Sequence, residues 1–263
     1  MKIPIYQVDA FTDKPFKGNP AAVCILNNEM PAAWMQSLAA EMNLSETAFL
    51  MAERGGFRLR WFTPMIEVDL CGHATLASAK VLFSEELIIK NQPAVFFTRS
   101  GELRASLEGD WINLNFPAFP EEPYKPAGSF MQALGINPVN VVKSGENVLV
   151  EVENEEAVRS MKPDFLTLIQ TPLHGVAVTA RADSRGFDFV SRYFAPWVGI
   201  NEDPVTGSAH SCLGPYWGKR LGKSEMLAFQ ASRRGGILKI KLLDHRVQIG
   251  GQALVIFKGD LLV

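Results

Sequence analysis

Cysteine is scarce. Cys24, Cys71 and Cys212 are the only three in 263 residues. An odd, widely spaced set fits a reducing cytoplasm better than a disulfide framework. The four histidines show no short-range pairing, so no metal-ligand spacing emerges and no metal site is expected. No dinucleotide or phosphate-loop glycine pattern occurs, which excludes the usual routes to a nucleotide cofactor. Long apolar runs are missing too: Leu254-Val255-Ile256-Phe257 is far too short to span a bilayer. Neither charge sign dominates. The net charge is −2 with both signs spread along the chain, which argues against nucleic-acid and membrane partners. The stretch Met1 to Ile5 lacks an apolar signal core and reads as the first strand.

What is present is a large apolar fraction, 47%, enough for one or two substantial cores. There is also an internal repeat. Arg60-Trp61-Phe62-Thr63-Pro64 leads to Glu67-Val68-Asp69-Leu70-Cys71-Gly72-His73, and Arg192-Tyr193-Phe194-Ala195-Pro196 leads to Glu202-Asp203-Pro204-Val205-Thr206-Gly207-Ser208. Each copy reads as an aromatic-centred strand, a proline stop, an acidic loop, then glycine and a polar residue opening a helix. Two similar halves are expected, presenting two helix N-termini to one cleft. Backbone donors and partial positive charge at such ends suit a small carboxylate.

Strands outnumber helices and short turns join many of them, so the fold class is α+β with mostly antiparallel or mixed sheets. Helical spacing marks Pro31 to Met42, with Pro31 suited to the first turn. Ala- and Ser-rich Gly72 to Phe83, and Gly207 to Leu221, read as enclosed helices. Shorter helices are expected at 129–134, with Gly135 as the stop, and at 163–170. The four prolines between Pro117 and Pro126 mark the best linker. The division expected is an N-terminal domain over 1–116, joined by a closing strand at 252–263, and a C-terminal domain over 127–251.

Four groups could carry chemistry. Glu46 opens an apolar strand. It reads either as a turn or capping acid, or as a partly desolvated carboxylate able to move a proton near neutrality. Cys71 is either a small buried hydrophobe or a thiol whose ionisation is favoured by the helix end. His73 either caps that helix or donates to a substrate oxygen. Asp203 and Ser208, taken singly, read as turn and cap residues. The repeat shifts the weighing, because Gly72-His73 and Gly207-Ser208 occupy matching places, and glycine there permits close approach by a ligand. Asp203, Ser208 and His210 do not make a hydrolase set, since the G-x-S-x-G elbow is absent. Arg233-Arg234-Gly235-Gly236 reads as a hairpin turn, and Gly250-Gly251 as a bulge or tight bend.

Seven ordered stretches carry a family resemblance: Val8-Asp9-Ala10-Phe11-Thr12, Gly18-Asn19-Pro20-Ala21-Ala22-Val23, Asn43 to Phe49, Arg60 to Pro64, Cys71 to Thr75, Arg192 to Pro196 and Glu202 to His210. Together they resemble the PhzF-like phenazine-biosynthesis family over the whole chain. The resemblance implies a fold like diaminopimelate epimerase: two pseudo-symmetric domains, each a strongly curved sheet around a central helix, with the site between them. It implies a cytoplasmic homodimer working without cofactor. It places the proton-moving glutamate at Glu46, site residues at His73, Asp203 and Ser208, and carboxylate-approaching backbone at Gly72 and Gly207. Cys71 is similar to the thiol position of the epimerases, while the stretch from Asp203 to Ser208 contains no second thiol. The expectation is an isomerase moving a proton within a small carboxylated metabolite. The alternatives are a two-base epimerase or racemase using Cys71, and a non-catalytic carboxylate-binding protein.

Overall fold

The structure is a computed structural model, and it describes residues 2–89, 91–183 and 186–262. The chain divides into two compact units, residues 1–115 with 250–263, and residues 116–249.

The first unit contains β1 (Ile3–Ala10), β2 (Asn19–Leu26), α1 (Ala32–Met42), β3 (Glu46–Glu53), β4 (Gly56–Phe62), β5 (Glu67–Val68), α2 (Gly72–Ser84), β6 (Ala94–Thr98), β7 (Gly101–Glu108) and β8 (Trp111–Pro117), whose last two residues cross the division. The second contains β9 (Glu121–Pro123), α3 (Gly128–Leu134), β10 (Asn140–Ser144), β11 (Asn147–Glu151), α4 (Glu155–Ser160), α5 (Phe165–Leu168), β12 (Gly175–Arg181), β13 (Phe189–Ala195), β14 (Ile200–Asp203), α6 (His210–Leu221), β15 (Glu225–Gln230), β16 (Gly236–Leu243) and β17 (Arg246–Gly251), which also runs across the division. The chain then closes the first unit with β18 (Ala253–Leu261).

In the first unit β1 lies antiparallel between β18 and β2, β2 runs parallel to β3, and β3 is antiparallel to β4. In the second, β10 is antiparallel to β11, β11 runs parallel to β12, and β12 is antiparallel to β13. The mixed pattern repeats: an antiparallel pair, a parallel step, an antiparallel pair, then a short strand turning back. The α+β class read from the sequence holds.

Each sheet encloses one helix. Along α2, Gly72 to Ala79 and Val81 to Phe83 are all buried, and the helix touches β1, β2, β3, β7 and β18. A helix buried on nearly every side has no polar face to offer water. Its hydroxyls are satisfied internally instead: Thr75 Oγ1 donates to the Cys71 carbonyl at 2.6 Å and Ser78 Oγ to the Ala74 carbonyl at 2.7 Å. The second enclosed helix, α6, packs on β11, β15 and β16. Pro215 lies inside it and has no N–H to give the Ser211 carbonyl. The Phe119 N–H takes that place at 3.2 Å, so the proline leaves no orphaned acceptor.

Several boundaries differ from the sequence reading. Pro31 is the N-cap of α1, with φ −57° and ψ 142°, rather than part of its first turn. The proline-rich stretch is not a bare linker, because β9 within it pairs with β10. Helix α4, unmarked by apolar spacing, is set by its ends: the Asn154 side chain accepts from the Ala157 N–H at 2.9 Å. Most relevant to function, α6 begins at His210 and not at Gly207. Residues 207–212 close as i→i+3 bonds, His210 N–H to Gly207 O and Ser211 N–H to Ser208 O. Gly250 and Gly251 sit within β17 rather than in a bend.

Candidate active site

The two copies of the repeat fold alike in detail. In the first, Arg60 grips Glu67 through two bonds of 2.7 and 2.8 Å and lies over the Phe62 ring at 5.2 Å. In the second, Arg192 grips Glu202 at 2.7 and 2.9 Å and lies over Phe194 at 5.1 Å. Both clamps tie the outgoing strand to the short returning one, where Trp61 faces Val68 and Tyr193 faces Asp203. The bidentate fork fits a carboxylate in a way that a lysine could not. Glu67 is accordingly held below the ordinary carboxylate range, chiefly by its bond to Arg60. From each glutamate the chain takes five residues to reach Gly72 or Gly207. Cys71 therefore corresponds to Thr206, and His73 to Ser208.

In the first unit, Glu46, His73 and Cys71 come together. Parallel pairing of β2 and β3 sets Glu46 opposite Ala21 at the start of β3. Its side chain is 12% exposed, and Oε2 lies 3.1 Å from His73 Nε2. The two atoms are within reach but off-axis for a hydrogen bond. At the ring's other nitrogen, Cys71 Sγ lies 3.5 Å from His73 Nδ1. Burial pushes His73 down to about 3, so the ring is neutral at physiological pH. The result is a thiol and a carboxylate that each touch a different nitrogen of one imidazole, the three groups clustered within 4.8 Å. Cys71, at the N-cap of α2, makes no side-chain cap bond. The first-turn N–H groups, Gly72 and His73 among them, are thereby left as donors for a ligand or solvent.

The same three side chains form the one candidate metal cluster among the described residues, their ligand atoms all within 4.8 Å of one another. An ion bound through either ring nitrogen, however, would have to displace the contact made there by the thiol or the carboxylate. The arrangement suits proton handling better than metal binding.

In the second unit, Asp203 is buried, and its Oδ2 accepts the Thr206 hydroxyl at 2.5 Å. Gln230, fully buried on β15, locks the loop. Its Oε1 accepts the Thr206 N–H at 2.8 Å, and its Nε2 donates to the Asp203 carbonyl at 2.8 Å. His210 Nδ1 lies 2.8 Å from the Thr206 carbonyl, and only a protonated nitrogen can serve that acceptor. Burial holds His210 down at about 4. Gly207 is buried and Ser208 half-buried, both in the 3₁₀ turn before α6.

The position matching Glu46 is Gly175, since Thr47 faces Phe62 and Val176 faces Phe194. No carboxylate could stand there: a Cβ on Gly175 would lie 1.8 Å from the Tyr193 hydroxyl, which donates to Asn147 Oδ1 at 2.7 Å. The halves have therefore diverged, with one keeping an acid at the strand start and the other an acid on the returning strand. Sequence reasoning missed Thr206, Gln230 and His210 as supports of this loop. His210 and Thr206 stand four apart beside the repeat and could have been paired; Gln230 lies 27 residues from Asp203 and gives no local signal.

A helix-centred α+β unit, built twice, is a fold shared with proteins named as a racemase and an epimerase. A probable proline racemase from Agrobacterium radiobacter superposes with a TM-score of 0.71 at 11% identity, covering 99% of this chain and 93% of that one, which is a likeness of fold. The chain belongs to the phenazine biosynthesis-like (PhzC-PhzF) family, whose model matches residues 8–259. A protein named as an uncharacterized isomerase from Halalkalibacterium halodurans is 51% identical over 264 residues, covering all of both chains. The crystal structure of a PhzF-family protein from Enterococcus faecalis matches with a TM-score of 0.95 at 44% identity, again over all of both chains.

Proposed function

We propose that the protein is a cofactor-independent isomerase that moves a proton within a small carboxylated metabolite. The observation that carries this reading is Glu46, a nearly buried carboxylate 3.1 Å from a neutral, buried imidazole at the start of an enclosed helix. The family, and relatives named as isomerases, support the reaction class.

Glu46 takes a proton from a carbon next to the substrate's carboxyl or other electron-withdrawing group. The C–H electron pair passes into that group, and negative charge builds on oxygen. The protonated Glu46 then returns the proton to a different carbon, so that no atom is gained or lost. His73 and Asp203 hold polar substituents. The N–H groups around Gly72-His73 and Gly207-Ser208 stabilise the carboxylate and the developing charge, an effect of roughly 3 kcal/mol per well-placed donor. Asp203 is fit for this role because Thr206 and Gln230 fix its position. Cys71 has Thr206 as its counterpart, which counts against an enzyme with paired thiols. The working form is read as a cytoplasmic homodimer.

Glu46→Gln keeps size and hydrogen bonding but cannot accept a proton. It should lower turnover by the ~10²–10⁴-fold typical of general-base loss while the melting temperature stays close to wild type. A variant with wild-type turnover on a substrate found by screening small carboxylates would sink the proposal.

A further inference from the structure

We propose that Cys71 is a positioning residue that fixes the tautomer of His73, so that the imidazole presents its N–H on the side facing Glu46. A neutral imidazole has one donor nitrogen and one acceptor nitrogen. Cys71 Sγ stands 3.5 Å from Nδ1, both side chains are buried, and a thiol has a proton to give. At the other nitrogen the neighbour is a carboxylate oxygen, Glu46 Oε2, 3.1 Å from Nε2 and off its N–H axis. If Nδ1 carried the proton, the electron-rich Nε2 would stand 3.1 Å from a negative oxygen, an unfavourable contact. With the proton on Nε2, the thiol can give its proton to Nδ1, and the positive Nε2–H lies beside the Glu46 carboxylate as a charge–dipole contact rather than a hydrogen bond. The two neighbours therefore select the same tautomer, and burial keeps the ring from escaping by becoming charged.

The second unit keeps a donor at the matching place. Thr206 corresponds to Cys71, and its hydroxyl donates to Asp203 at 2.5 Å. One half fills the position with a thiol and the other with a hydroxyl, and the property they share is a proton to donate rather than sulfur chemistry. The consequence for catalysis rests on the isomerase reading: a ring with its N–H toward Glu46 can donate to a substrate oxygen beside the base, and the other tautomer cannot.

The test has two readouts on the full-length protein. Long-range proton–nitrogen correlation spectra of ¹⁵N-labelled protein at neutral pH report the His73 tautomer without any substrate. The wild type should show Nε2 protonated and Nδ1 bare. Cys71→Ala should give a mixed or reversed pattern, and Cys71→Ser, which restores a donor, should recover the wild-type pattern. In turnover, Cys71→Ala should lower kcat by about 10–100-fold with KM little changed, less than outright loss of a general acid or base. Cys71→Ser should regain most of that loss. A wild-type pattern in Cys71→Ala overturns the positioning role. So does a Cys71→Ser enzyme as impaired as Cys71→Ala yet with the correct tautomer, since the sulfur itself would then be required. If Glu46→Gln leaves turnover intact while the tautomer follows Cys71 as described, the isomerase reading fails and the positioning role stands.

Discussion

Acid should weaken both units through their buried histidines, and in a pH window that carboxylates do not share. His73 is held at about 3 and His210 at about 4, both by burial, against an ordinary 6.5. The sign follows from proton counts. Between 6.5 and those depressed values the unfolded chain binds a proton at each histidine and the folded chain does not. Stability therefore falls as pH drops through 6.5 and continues falling to about 3–4. At pH 5 the unfolded histidine is favoured by ~1.5 pK units, or about 2 kcal/mol per residue at 1.36 kcal/mol per unit. With one such residue in each unit, the loss between pH 7 and pH 5 is about 4 kcal/mol. Carboxylates held low by partners, such as Glu67 and Glu121, add acid sensitivity only below their ordinary 4.5. Urea denaturation at pH 7.0 and 5.0 measures this directly. His210→Gln should lower stability at both pH values through loss of the Thr206 bond, but should roughly halve the pH dependence. A wild type equally stable at the two pH values, or a His210→Gln variant with the full dependence, would refute the reasoning.

Three further outcomes follow from particular contacts. Arg192 clamps Glu202 and also donates to the Met161 and Val158 carbonyls beyond and within the end of α4, at 2.8 and 3.3 Å, so Arg192→Lys should cost about 2–3 kcal/mol in denaturant titrations despite keeping the charge. Gly218→Ala places a Cβ 2.4 Å from Leu242 Cδ1 and 2.9 Å from the Lys223 carbonyl, and should cost about 1–3 kcal/mol by overpacking, read as a lower melting temperature. The homodimer reading predicts a light-scattering mass twice that of the chain, and a monomer at micromolar concentration would contradict it.

How much of this was legible in the sequence varied with the range of the interactions. The repeat at Arg60 and Arg192 was visible because strand, stop, acid and glycine follow one another locally, and the α+β class followed from many short strands and turns. The enclosed helix α2 was marked by small and apolar residues on most sides. The start of α6 was misplaced, since Gly207-Ser208-Ala209 is as helix-like in composition as Gly72-His73-Ala74. The Gln230 bonds to Asp203 and Thr206 that lock the preceding loop come from a strand far along the chain. Glu46, His73 and Cys71 were each singled out, but that the imidazole touches thiol and carboxylate at once depends on strand register, which no local pattern encodes. Gly175 as the empty counterpart of Glu46 emerges only once the strands of both units are paired.

In the proposed isomerisation one base, Glu46, carries a proton from one carbon to another of the same molecule. Turnover of a confirmed substrate in deuterated water, stopped early and read by NMR or mass spectrometry, tests it most directly. A single carboxylate that returns the proton it took predicts product retaining a measurable part of the substrate's own hydrogen at the new carbon. Complete solvent label in the first product formed, together with retained activity in Glu46→Gln, would contradict the claim and point to a two-base enzyme.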